Sequence, residues 1–278
     1  DLVWATAFTT HPYRRPIGGS PDQVLRLTEV EVTEFYQRFY VPGNMALVVV
    51  GDVDPAAVTA QVAELFGSRP ARSVALPQPA AEPPQTEIRS VIRTRPSDTV
   101  LFAYSWHAPG IAQPTDVCAM DLIYTLLGEG AFGRLYAALE EPGLALMSYV
   151  QYLTQRFPGL FTVTVLTTPD NDLKARGAVL AEIQRLRDQP VSEAELAQAK
   201  RLLRLSYAFN NEAYSDQVGT LGFYEGLGDY RFALNYMDLI DAVTVEEINR
   251  VARTYLTLDS YSLVVVRPEP KPGTTEEA

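Results

Sequence analysis

The chain carries one helix–strand unit twice, at a constant offset of 216 residues and without a gap. Residues 27–50 match residues 243–266. Thr28 meets Thr244, Glu31 meets Glu247, Val32 meets Ile248, Phe35 meets Val251 and Phe39 meets Tyr255. Leu47-Val48-Val49-Val50 then meets Leu263-Val264-Val265-Val266. Each copy opens on Thr-x-x-Glu, where hydroxyl and carboxylate cap the first helical turn reciprocally. Each continues with an apolar stripe at helical spacing, a short polar turn and an apolar run of strand length.

The second copy closes a domain near residue 266, while the first closes a unit near residue 50. If the two domains are alike, the expectation is that 1–70 is the C-terminal part of a first domain whose upstream portion, more than a hundred residues, lies outside this chain. A start at Asp1 rather than Met fits a fragment. Residues 71–86, with Pro77, Pro79, Pro83 and Pro84, read as a linker. Residues 87–266 read as a complete second domain, and 267–278 as a disordered tail.

Within this frame, residues 1–20 read as a loop. A helix is expected at 28–41, a strand at 46–50 and a helix at 55–66. The second domain shows strand patterns at 87–94, 99–106, 144–155 and 159–167. Helical spacing occupies 115–127, 132–140 and 170–187. A long helix follows the capping box Ser192-Glu193-Ala194-Glu195, and shorter helices fill 215–240. Strands and helices come in blocks, which predicts an α+β fold. The expected architecture is two similar domains of antiparallel-rich sheet with helices packed on one side, the first domain incomplete.

With 47% hydrophobic and 21% charged residues, the chain has the composition of a folded globular protein. Its net charge of −11 argues against nucleic acid, which is bound by neutralising phosphates. No apolar run approaches the ~20 residues of a membrane-spanning helix. The single cysteine, Cys118, excludes an intrachain disulfide and reads as a small buried hydrophobe.

The residues offer little chemistry of their own. Only His11 and His107 are present, far apart in sequence, so no two-histidine zinc motif exists here. His11, in His11-Pro12-Tyr13-Arg14, reads as a loop hydrogen-bonder. Gly128-x-Gly130-x-x-Gly133 has the letters of a dinucleotide fingerprint but follows a helix pattern, whereas the fingerprint requires a strand. These glycines read as a flexible helix–helix loop whose backbone can approach a partner or a peptide. Arg134 and Tyr136 follow it and are candidate cleft residues, with a salt-bridged Arg and a packed Tyr as the plainer alternative. Glu140-Glu141 reads as a solvated pair. No catalytic or metal-binding residue is expected in this chain.

Together these motifs resemble those of the pitrilysin/insulinase-type zinc peptidases, in the small bacterial branch that is similar to mitochondrial processing peptidase. The resemblance is carried by His11-Pro12-Tyr13-Arg14, Tyr40-Val41-Pro42-Gly43-Asn44-Met45 and Val49-Val50-Gly51-Asp52-Val53. It continues through Leu126-Leu127-Gly128, Gly133-Arg134-Leu135-Tyr136, Leu139-Glu140-Glu141-Pro142-Gly143 and Val191-Ser192-Glu193-Ala194-Glu195. It implies a zinc metalloendopeptidase parent whose His-x-x-Glu-His motif, and hence zinc, lies upstream of this chain. It also implies an unfolded peptide substrate and a second half-enzyme subunit or homodimer partner that closes a clamshell. The substrate-binding candidates under it are Gly128, Gly130, Gly133, Arg134 and Tyr136. Active members of the family carry an Arg and a Tyr on a second-domain strand and the segment after it. The matching stretch here, 159–172, has neither, so the resemblance implies either a zinc-carrying half that borrows the pair from a partner or an inactive half, and a non-catalytic scaffold or partner subunit is the alternative. The compartment, bacterial cytoplasm or periplasm, stays open.

Overall fold

The computed structural model describes residues 1–70 and 72–269, which fall into two compact units. The first comprises Asp1–Arg14, Ala81–Leu205 and the described part of Tyr236–Ala278; the second comprises Arg15–Ala80 and Ser206–Asn235. This division differs from the expected boundaries, because residues 1–14 group with the second half of the chain and 206–235 with the first.

The first unit is built on one mixed sheet. Its strands are β1 (Arg89–Arg95), β2 (Val100–Ala108), β3 (Met147–Tyr152), β4 (Gly159–Thr167) and β5 (Ser262–Pro268), in the order β1-β5-β2-β4-β3. Three of the four pairings are antiparallel, while β1 and β5 run parallel. The β5 strand of the repeat is therefore flanked on both sides, with Val264 against Val91 and Ala103. Its Val265 is fully buried.

Side chains alternate across the sheet, which puts Phe102, Tyr104 and Trp106 of β2 on one face and Ala103, Ser105 and His107 on the other. Phe161, Val163 and Val165 of β4 join the first group in register. All six residues of that aromatic and aliphatic face are buried, and the Trp106 indole N–H donates to the carbonyl of Thr257 at 2.7 Å.

A short helix, α1 (Leu2–Ala7), lies where the sequence reads as a loop, and α2 (Pro21–Arg26) follows just beyond it; next come α3 (Glu29–Phe39) and α4 (Pro55–Phe66). The later helices are α5 (Pro114–Gly128), α6 (Asp172–Asp188), α7 (Glu193–Phe209), α8 (Tyr214–Leu227), α9 (Arg231–Ala242) and α10 (Val245–Tyr255). Arg176 of α6 lies over the Phe102 ring, and Gly128 of α5 meets Val150 of β3, so these helices sit on the aromatic face. The α1 helix lies on the opposite face. Its Ala7 carbonyl meets His107 Nε2 at 3.0 Å, and Phe8 packs with Leu160.

Both capping boxes of the repeat form. The Thr28 and Thr244 hydroxyls accept from the Glu31 and Glu247 N–H groups at 3.3 Å, and each Glu carboxylate accepts the Thr N–H at 2.9 Å. The two copies then diverge. Ile248, Val251 and Ala252 of α10 are buried, whereas Val32 and Phe35 of α3 are more than half exposed. Residues 46–50 pair with no strand among the described residues, and Leu47 is 62% exposed. The expected strand there is not formed because an extended segment becomes a strand only when a neighbour accepts and donates its backbone hydrogen bonds. The helix expected at 132–140 is a 3-10 turn (Gly130–Phe132) followed by a π-helical turn (Tyr136–Glu140). The expected tail lies outside the described residues from position 270 onward.

The linker is anchored rather than loose at one point. The Glu82 carboxylate accepts the N–H groups of Thr9, Thr10 and His11 at 2.7–2.8 Å and the Thr9 hydroxyl at 2.8 Å. Three successive N–H groups aimed at one carboxylate form an anion-binding nest. Burial pushes the Glu82 pKa up, but these bonds outweigh it and bring it down to about 2 from the ordinary 4.5. A depressed carboxylate contributes stability that is present above its unfolded pKa and lost as pH falls toward its folded one. Glu82→Gln should therefore destabilise the first unit by roughly 1–3 kcal/mol at pH 7, with the deficit shrinking between about pH 4.5 and 2. Thermal melts of both proteins across that range check this.

Candidate functional site

Helix α5 is apolar on nearly every side and ends at Gly128, which is forced by close packing. A Cβ there would sit 2.7 Å from Val150 Cγ2 on β3. The chain then turns through Gly130 at φ +52°, in the left-handed region where a β-carbon is strained. At Gly133 a Cβ would lie 2.6 Å from the Leu127 carbonyl oxygen. All three glycines thus have a local steric or conformational reason, and the loop needs no added mobility to account for them.

Beyond this loop the π-helical turn runs to Glu140. The chain reverses at Pro142-Gly143, with Gly143 at φ +72°, and returns as the edge strand β3. Loop, turn and strand enclose a cleft of about 200 Å³ lined by Leu127, Leu135, Tyr136, Glu140, Tyr149 and Val150, together with Gly128 and Gly130. The Glu140 carboxylate holds the cleft in shape. Its Oε1 accepts the Ser148 N–H at 2.8 Å and the Ser148 hydroxyl at 2.7 Å, which covers part of the edge of β3. Glu140 is thus a structural acceptor and not half of a solvated pair.

Of the five sequence candidates, Gly128, Gly130 and Tyr136 line this cleft. Gly133 is not in the lining and lies against the backbone of Leu127 and Glu129. Arg134 turns away from the cleft. Its Nη2 lies 2.7 Å from Glu195 Oε1 and its Nη1 3.5 Å from Glu182 Oε1. It is the salt-bridged arginine of the plainer alternative, tying the segment just before the π-helical turn to α6 and α7. Glu140, Ser148 and Tyr149 were missed from the sequence. Their only signal is a Pro-Gly reversal that brings positions eight apart together, and that cannot be read without the strand pairing.

The remaining candidates are structural. His11 Nδ1 accepts the Tyr13 N–H at 3.3 Å, as expected of a loop hydrogen-bonder. Burial lowers its pKa, with Glu82 opposing. Cys118 is fully buried, and burial pushes its thiol up to about 12. No group of three or more His, Cys, Asp or Glu among the described residues is placed to hold a metal ion. His11 and His107 do not fit the ligand set of a catalytic zinc site: Nδ1 of His11 accepts from Tyr13, its buried Nε2 has no partner and no cluster of further ligand residues among the described residues faces it, and His107 Nε2 meets the Ala7 carbonyl. The glycine triplet follows α5 and not a strand, so it does not form a dinucleotide-binding turn.

Arg134→Ala leaves the buried Glu182 with Arg185 alone. It should cost roughly 2–4 kcal/mol of stability. Gly130→Ala should cost only about 1–2 kcal/mol, from the left-handed backbone. Denaturant unfolding of the two variants measures the difference.

The chain is similar to proteins named as zinc proteases. It is 28% identical over 272 residues to one from Mycobacterium tuberculosis and 26% identical over 277 residues to one from Helicobacter pylori. These matches take in 96% and 95% of this chain but only 62% and 60% of the relatives, so the chain spans about three fifths of their length. Its fold is that of a solved Helicobacter pylori protease, with a TM-score of 0.86 at 23% identity over 96% of this chain and 65% of that one. A peptidase M16 inactive domain from Pseudomonas fluorescens shares it with a TM-score of 0.81 at 21% identity, over 99% and 66% of the two chains. The peptidase M16 inactive-domain model matches residues 26–203, and this chain belongs to that family.

Proposed function

We propose that this chain is the C-terminal, non-catalytic part of a zinc metalloendopeptidase half-enzyme. In that parent, the zinc-binding segment lies upstream and the chain described here helps enclose an unfolded peptide. The observation that carries this reading is the bare copy of the repeat. The α10–β5 unit is buried between α5, β1 and β2, while its counterpart at 27–50 leaves Val32, Phe35, Leu47 and Val49 exposed. A unit of this kind requires a surrounding sheet, as β5 has through β1 and β2. The relatives, named zinc proteases, are longer than this chain by enough to supply one.

In this reading the cleft beside the glycine loop is a peptide-binding surface. Gly128 and Gly130 keep part of its wall free of side chains, Tyr136 and Tyr149 add aromatic residues to the lining, and the edge of β3 runs alongside. Zinc, bound upstream, would supply an activated water when present. The residues of this chain hold and orient peptide and take no part in that chemistry. A second half, from another subunit or a second copy, closes the clamshell.

Zinc content and cleavage of an unfolded peptide, measured on this chain and on the longer gene product, test the reading. The expected result is stoichiometric zinc and cleavage for the longer protein with its partner, and neither for this chain. Cleavage by this chain alone would overturn it. A longer protein with neither zinc nor cleavage would select the non-catalytic scaffold instead.

A further inference from the structure

We propose that the outer flank of α10 is a docking groove for a carboxylate-bearing peptide segment of a partner protein, with Arg253 as the residue that receives its charge. The groove shares no residue with the cleft beside the glycine loop.

A groove of about 430 Å³ lies along α10, lined by Val245, Glu246, Asn249, Arg250 and Arg253, with Pro190 opposite. A second groove, of about 390 Å³, lies along α3 and takes in Glu34, Gln37 and Arg38. Those three positions, moved by the repeat offset of 216, are Arg250, Arg253 and Thr254, which also lines the first groove. Both copies of the repeated helix thus present a groove on the same flank. On α3 a chain segment runs there: residues 72–75, in neither helix nor strand, form the opposite wall. They pack tightly, since a β-carbon on Gly43 would sit 2.3 Å from the Arg72 carbonyl oxygen. On α10 no such segment lines the groove, and Pro190 alone stands across from the helix.

Charge sets the chemistry of the occupant. On α3 the helix offers Glu34, and the segment brings Arg72 to the same groove. On α10 the helix offers Arg250 and Arg253 in its place. Arg250 is paired, with Nη2 2.5 Å from Asp116 Oδ1. Arg253 is held by one edge only. Its Nε donates to the Arg187 carbonyl at 2.8 Å, and its Nη nitrogens form no hydrogen bond or ion pair among the described residues. A guanidinium fixed in this way keeps two parallel donors free, which suits a carboxylate. Glu246, the acid in the lining, belongs to the first turn of α10, where the backbone N–H and the Thr244 hydroxyl hold its carboxyl below the usual range. About 10 Å of helix separates it from Arg253. A basic occupant would meet Arg253 as a like charge, so the arginine selects by repulsion as well as attraction.

The test titrates blocked alanine–serine peptides with a central pair of Glu, Gln or Lys residues into the isotope-labelled chain and follows the backbone amide resonances. The Glu peptide should shift the amides of residues 245–254 and bind roughly fivefold tighter than the Gln peptide, with the Lys peptide weakest and the Glu advantage shrinking at high salt. Arg253→Gln should remove that advantage, and Arg253→Lys, which keeps the charge, should retain most of it. The spectra of both variants show directly whether the fold is kept. Equal affinity for the Glu and Gln peptides would overturn the proposal. So would a Glu preference that survives Arg253→Gln, or shifts confined to residues outside 245–254. Inorganic phosphate producing the same shifts at the same concentration would reduce the groove to a simple anion site and overturn peptide docking.

Discussion

An apolar strand must have its backbone groups paired, and that requirement organises this molecule. β5 satisfies it twice, through β1 on one side and β2 on the other. From β2 the pairing passes to β4 and then to β3, whose outer edge borders the cleft. Once β5 is central, α10 is fixed against α5, and α5 delivers Gly128 to the edge strand. The cleft is thus the far end of a chain of pairings that begins at the repeat. The same unit at 27–50, lacking those neighbours, keeps its capping box and helix but forms no strand. Helix formation is local and needs only the i→i−4 bonds and a cap, whereas a strand does not exist without a partner.

A carboxylate organises the opposite face of the sheet. Glu82 gathers three N–H groups and a hydroxyl from residues 9–11, and this holds α1 and Phe8 beside Leu160 and His107. Arg89 joins the same corner by donating to the Ala7 carbonyl at 2.6 Å. Carboxylates serve as connectors elsewhere too. Glu195 caps α7 through Ser192 while accepting from Arg134, and Glu140 joins the π-helical turn to β3. In a chain with 34 acidic and 23 basic residues, several acids are accounted for by backbone N–H groups rather than by cations.

This use of carboxylates limits how the site can be read from sequence. Glu140 and Ser148 are eight residues apart, beyond the reach of helical or strand periodicity, and meet only because the chain reverses at Gly143. Arg134 sits next to a glycine loop, which draws attention to it, yet its partners lie 48 and 61 residues away on α6 and α7. A lone Arg beside glycines carries no mark of where it points. The glycines were legible as a loop, but their causes differ: Gly128 faces Val150, Gly130 adopts a left-handed backbone and Gly133 touches the Leu127 carbonyl. Only the last is a contact within the loop.

The sequence by itself determined the α+β class, the duplicated capped helix followed by an apolar run, and the order of strands and helices from 89 onward. It placed α4 at 55–66 and β4 at 159–167, where they are found. These features follow from local physics: periodicity, capping residues and turn formers act over a few positions. Tertiary structure alone decided that β1 joins β5 in parallel, that residues 1–14 pack with the sheet through Glu82, and that residues 46–50 stay unpaired. It also decided that Arg134 faces inward while Glu140 faces the cleft. Each of these depends on which distant backbone or side-chain group is available as a partner, and that information is held in the pairing of the chain and not in any stretch of it.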